Sequence, residues 1–87
     1  MAKRRTFMAE LLDGGRTLAM REAHAMSSAI RASEALIREY SLSTGEPFLG
    51  DRPERGPLAG KGDAYLRRWT GERSGAALRV EVFEVFS

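Results

Sequence analysis

A chain of 87 residues carrying a formal net charge of +2 has room for one domain and not for two. Such a domain buries only a little over about 60% of the surface its unfolded chain exposes, so its core is lean and few side chains are left to build a deep pocket. The absence of cysteine excludes disulfides and thiolate metal sites and favours a reducing, cytoplasmic setting, and no apolar run approaches the roughly 18 residues of a membrane span.

The chain opens on a basic tip, Lys3-Arg4-Arg5, and the acids Glu10 and Asp13 soon after it break any signal-peptide core. Arg5 to Leu12 alternates as a strand does, with Phe7, Ala9 and Leu11 on one face and Thr6, Met8 and Glu10 on the other. Asp13-Gly14-Gly15 is a hairpin signal, because a type I′ turn needs positive φ at both central residues. The chain then returns as a second strand from Arg16 to about Glu22 with Leu18 and Met20 toward the core; the alternative is a helix that starts as early as Thr17.

The next segment reads as a helix from about Ala25 to about Ser43, with Gly45 as its stop. Ala23, Met26, Ile30, Ser33, Ile37 and Tyr40 recur at spacings of three and four and form its apolar stripe, flanked by Ala29 and Leu36. Arg31, Glu34 and Arg38 fall on the opposite side, with Glu34 four residues before Arg38 in the orientation that favours an ion pair. The small residues Ala29, Ala32 and Ser33 allow close approach to a sheet.

From Gly45 to Gly62 lie all three prolines and five of the nine glycines, which reads as a long loop anchored by Phe48 and Leu49. It is either a binding loop or a mobile connector. A second hairpin follows: a strand from Ala64 to Thr70, a turn from Gly71 to Gly75, and a strand from Ala76 to Phe86. The alternation Leu78, Val80, Val82 slips at Phe83, which calls for a bulge there or for burial of both faces. The fold class expected for residues 1–87 is therefore α+β: a four-stranded antiparallel sheet, strand-strand-helix-strand-strand, with the helix packed on one face.

Chemistry has little to stand on. His24 is the only histidine, with no cysteine to activate, and reads more simply as a capping or partly buried residue near the helix start. Scattered carboxylates lack metal-ligand spacing, Gly60-Lys61-Gly62 lacks the remainder of a phosphate loop, and Glu81 and Glu84 read as solvated charges. No catalytic residue, metal or cofactor is expected.

Binding signals are stronger. Twelve of the fourteen basic residues are arginine, the side chain suited to carboxylate, phosphate and interface contacts, although a GC-rich genome enriches arginine without functional cause. Tyr65, Arg67 and Trp69 alternate on one strand face with Arg68 on the other. If exposed, that face has the composition of an interface hot spot or a base-stacking surface; otherwise Trp69 fills the core and Arg67 extends past it. Lys3, Arg4 and Arg5 suit a phosphate contact or a solvated tail.

The leading strand RTFMAELL, the return into REAHAMSSAIRASEALI and the final hairpin around Trp69 together resemble small phage-encoded anti-CRISPR proteins that inhibit type I surveillance complexes. That resemblance implies a stoichiometric inhibitor in the cytoplasm of the host bacterium, which binds an RNA-guided complex and blocks its access to target DNA, in some members with contact to duplex DNA. It maps Arg31, in Ala29-Ile30-Arg31-Ala32-Ser33, onto the partner-binding face. Chemistry adds Arg38 on the same helix face and Arg67 and Arg68 on the sheet. The alternative is a nucleic-acid-binding regulator acting directly on DNA or RNA, with no membrane partner in either case.

Overall fold

The computed structural model describes residues 5–58 and 62–85. Lys3, Arg4, Lys61 and Phe86 lie outside them, and with them most of the Gly60-Lys61-Gly62 turn. The elements run β1 (Thr6–Asp13), β2 (Arg16–Ala23), α1 (Met26–Thr44), β3 (Phe48–Gly50), β4 (Glu54–Leu58), β5 (Gly62–Gly71) and β6 (Ala77–Val85). The α+β class stands as expected, with one helix against one antiparallel sheet. The sheet has six strands among the described residues rather than four, in the order β2-β1-β6-β5-β3, with β4 also on β5.

The two added strands come from the Pro/Gly-rich stretch expected to be a loop. β3 pairs with the C-terminal part of β5 (Phe48 opposite Gly71) and β4 with its N-terminal part (Glu54 opposite Leu66). Between them the Asp51 N–H donates to the Arg68 carbonyl at 2.8 Å, so the two form one broken strand along the β5 edge. Proline argues against a strand because it removes a backbone donor. On an edge strand that donor has no partner to lose, and Pro57 sits there opposite Asp63. Leu49, expected to anchor the stretch, is 61% exposed, whereas Phe48 tilts against Tyr40 with ring centroids 5.7 Å apart.

The first hairpin forms as the Asp-Gly signal indicates. Its two-residue turn, Gly14–Gly15, has positive φ at Gly14 alone (61°), the pattern of a type II′ turn and not of the expected I′. A bulge does occur, but in β2: Leu11 opposes Ala19 while Leu12 opposes Thr17, which leaves Leu18 as the extra residue beside the core. At Phe83 the ladder is regular on both sides, with Phe83 opposite Met8 and opposite Ala64. The slip in the apolar pattern arises because Phe83 and Val85 lie on the face away from α1, while Glu84 on the helix side is held by Arg5 (Nε to Oε1, 3.0 Å).

α1 lies across β2, β1 and β6 and hardly reaches β5. Its buried residues are Ala29, Ser33, Leu36 and Ile37; Met26, Ile30 and Tyr40 are half-buried. The stripe is thus turned toward the flanking positions Ala29 and Leu36, and Ala23 belongs to β2. These residues meet Phe7, Ala9, Leu11, Tyr65, Leu78, Val80 and Val82 in one core. Buried Ser33 satisfies its hydroxyl by donating to the Ile30 carbonyl at 2.6 Å. No side chain caps the first turn at Ala25, and His24 is exposed. The helix ends on Gly45 in the left-handed region (φ 74°), whose N–H donates to the Ser41 carbonyl at 2.9 Å.

Candidate functional site

Because α1 covers three strands and stops short of β5, a cleft opens between the C-terminal half of the helix and the β5–β3 edge. It has a volume of about 330 Å³ and is lined by Glu34, Ile37, Arg38, Ser41, Pro47, Phe48, Arg67 and Trp69. Each wall follows from local sequence. Glu34, Ile37, Arg38 and Ser41 are neighbours at helical spacing. Arg67 and Trp69 are two apart on one strand and so share a face. Pro47 and Phe48 close the end where the chain leaves the helix.

The Tyr65/Arg67/Trp69 alternation resolves into three roles. Tyr65 is buried in the core. Trp69 is half-buried and packs against that core from the side, with its Nε1 buried and without a hydrogen-bond acceptor among the described residues. Arg67 lies over the Trp69 ring, Cζ 4.3 Å from the centroid, and donates through Nε to the Asp51 carbonyl at 2.8 Å. The guanidinium fills the space where Gly50 has no side chain: a Cβ there would stand 2.7 Å from Arg67 Nε.

The structure brings two of the sequence-predicted residues, Arg38 and Arg67, into this one cleft. Arg31 is exposed two helical turns before Arg38 on the same side of α1. Among the described residues neither Arg31 nor Arg38 pairs with a carboxylate, and the expected Glu34–Arg38 ion pair does not form. Arg68 is on the opposite sheet face, 3.4 Å from Glu54. Arg5 is held in two parallel bonds by Glu84, which raise the arginine above its ordinary value and hold the glutamate below the usual carboxylate range. Lys3 and Arg4 lie outside the described residues.

Glu46 organises the neighbouring turn. Its Oε1 accepts from the Arg73 and Ser74 backbone N–H groups at 2.7 and 2.6 Å, and its Oε2 accepts from the Ser74 hydroxyl at 2.8 Å. These bonds, those from Ser74 first, hold its carboxyl below the usual range. The signal available was weak: an acid between a helix-stopping glycine and a proline, with a polar turn elsewhere in the chain.

Chemically the cleft offers two guanidiniums against one carboxylate, with the Trp69 ring under Arg67 and the apolar sides of Ile37 and Phe48. That set suits an anionic group carried on a partly apolar body. Among the described residues no group of three or more His, Cys, Asp or Glu side chains could hold a metal ion, and no helix is long and apolar enough to cross a membrane. No family model matches the chain, and no curated protein or solved structure matches it either.

Proposed function

We propose that this protein is a non-catalytic binding protein that uses the Arg31/Arg38 side of α1 and the adjoining cleft to hold an acidic surface of a macromolecular partner. The observation that carries the reading is the convergence of Arg38 and Arg67 beside Trp69, with Arg31 and Arg38 unpaired among the described residues. Unpaired arginines next to a partly buried tryptophan are the residue types that dominate binding energy at interfaces.

The resemblance to anti-CRISPR proteins makes a type I RNA-guided surveillance complex the partner of this proposal, with inhibition by blocking target DNA binding in the host cytoplasm. Purified protein is expected to co-elute with such a complex and to reduce its capture of target DNA. Arg38→Ala with Arg67→Ala is expected to lose both effects. Undiminished DNA capture at saturating protein, across type I subtypes, overturns the inhibitor reading.

The Arg67–Trp69 stack favours a second reading, direct binding of DNA or RNA, since a guanidinium plane is a surface on which a base can stack. It requires a mobility shift of nucleic acid by the protein alone that weakens steeply with salt. Retention only in the presence of the surveillance complex decides for the first reading.

A further inference from the structure

The face of the sheet turned away from α1 meets no helix among the described residues; Leu12 and Ala64 on it are buried, and most of its other side chains are half-buried or exposed. Strand register lays its side chains out in rows. One row, read across the strands, is Met20, Glu10, Glu81, Leu66, Glu54; the next is Thr17, Leu12, Arg79, Arg68. The first is acidic and the second basic, and they are two residues, about 7 Å, apart along the strands. Apolar side chains lie among them: Met20 is 49% exposed, and Met8 and Leu66 are half-buried.

Within one copy this arrangement sets like charges against each other. Glu10 stands directly opposite Glu81, and Arg68 directly opposite Arg79, in cross-strand positions where like charges are destabilising. The partial relief is visible: Glu10 accepts from the Thr17 hydroxyl, Arg79 Nε lies 3.3 Å from Glu81 Oε1, and Arg68 lies 3.4 Å from Glu54.

We infer that this face is the interface of a two-fold dimer in which the acidic row of one copy lies over the basic row of the other. A two-fold axis between the rows and parallel to them superimposes each row on its opposite, because the rotation reverses direction along the strands. Glu81 of each copy then meets Arg79 of the other. With the bonds already present inside each copy, the four side chains form a ring of alternating charge. The sheets stack face to face, about 10 Å apart, over Met8, Met20 and Leu66. Closed two-fold pairing is the commonest form of self-association, and it requires a self-complementary patch of this kind. A second copy is the occupant because the face carries both halves of the complementarity. The clefts beside α1 stay open on the outer sides of the dimer, so this inference stands apart from the proposed function.

Sedimentation of the purified chain over a range of concentrations tests it. Wild type is expected to run as a dimer that dissociates as salt is raised. Arg79→Glu and Glu81→Arg, each alone, place like charges across the axis and are expected to weaken the dimer at least about tenfold with unchanged circular dichroism. An equimolar mixture of the two variants is expected to regain dimer, because every cross-axis pair in the mixed species is again opposite in charge. The doubly exchanged chain, R79E with E81R, is expected to regain it as well. A wild-type chain that stays monomeric at high concentration overturns the inference, as does a dimer unaffected by the single changes or a mixture of intact variants that fails to associate.

Discussion

Arg67 is held over the Trp69 ring from two directions, by the ring face at 4.3 Å and by the Asp51 carbonyl at 2.8 Å. The second contact matters for function. A guanidinium free to rotate loses entropy on binding, whereas one clamped by a backbone carbonyl is already oriented. The clamp spends one of its donors and leaves the others to line the cleft beside Arg38.

Changing Arg31 and Arg38 together to Ala is expected to leave stability within about 0.5 kcal/mol of wild type, because both side chains are exposed. Partner binding is expected to weaken at least about tenfold, since charge-assisted hydrogen bonds at an interface are the expensive ones to lose. Thermal unfolding and an affinity measurement on the same samples check both halves. Wild-type affinity in this double variant places the binding surface elsewhere.

Gly50→Ala probes the clamp without touching a charge. Its Cβ would stand 2.7 Å from Arg67 Nε, the movable end of a long side chain, so the arginine is expected to shift and the backbone to stay. Loss of the stack costs about 0.5–1 kcal/mol at a partly exposed site. Trp69 is the only tryptophan, so its emission reports the displacement directly. Emission identical to wild type in Gly50→Ala would mean that the guanidinium had not moved.

Core truncations separate the observed helix face from the one the spacing suggested. Ile37 is 4% exposed and Ile30 is half-buried. Ile37→Ala is expected to cost about 2–5 kcal/mol through a cavity in the core it shares with Val80 and Val82, and Ile30→Ala clearly less. Denaturant melts of the two variants rank them.

Glu46 gives a pH dependence of known sign. Its folded-state value is lowered from 4.5 by the bonds from Ser74 and Arg73, so its contribution is fully present above the unfolded value. That contribution falls away as pH drops through the folded value. Glu84, lowered by Arg5, acts in the same direction. The loss of stability in mild acid is therefore expected to shrink in Glu46→Gln and to shrink further when Glu84→Gln is added. Stability curves against pH that superimpose for wild type and Glu46→Gln would contradict the role of this carboxylate at the turn.

Local rules were legible in the chain wherever one residue type answers one local need. Gly14 turns the first hairpin, Gly45 ends the helix, and the 3.6-residue repeat marks α1 from Met26 onward. The period-two alternation of Phe7, Ala9 and Leu11, and of Leu78, Val80 and Val82, marks the strand faces that meet the helix. The arginine-bearing side of α1 follows from the same periodicity, and Arg31 and Arg38 are exposed as it requires.

What partners a strand, and how far a helix reaches across a sheet, are properties of the assembled chain. β3 and β4 exist because β5 offers them an edge; alone, a stretch with three prolines has no reason to extend. The bulge at Leu18 and the regular ladder through Phe83 were settled by pairing with β1 and β5, which no local pattern encodes. The cleft has the same origin. Arg38 and Arg67 are distant in sequence, and they meet because α1 covers three strands and leaves β5 open beside it. Sequence periodicity assigns each side chain to a face of its own element. Only packing, which balances buried apolar area against the reach of a helix this long, decides which faces come to line the same space.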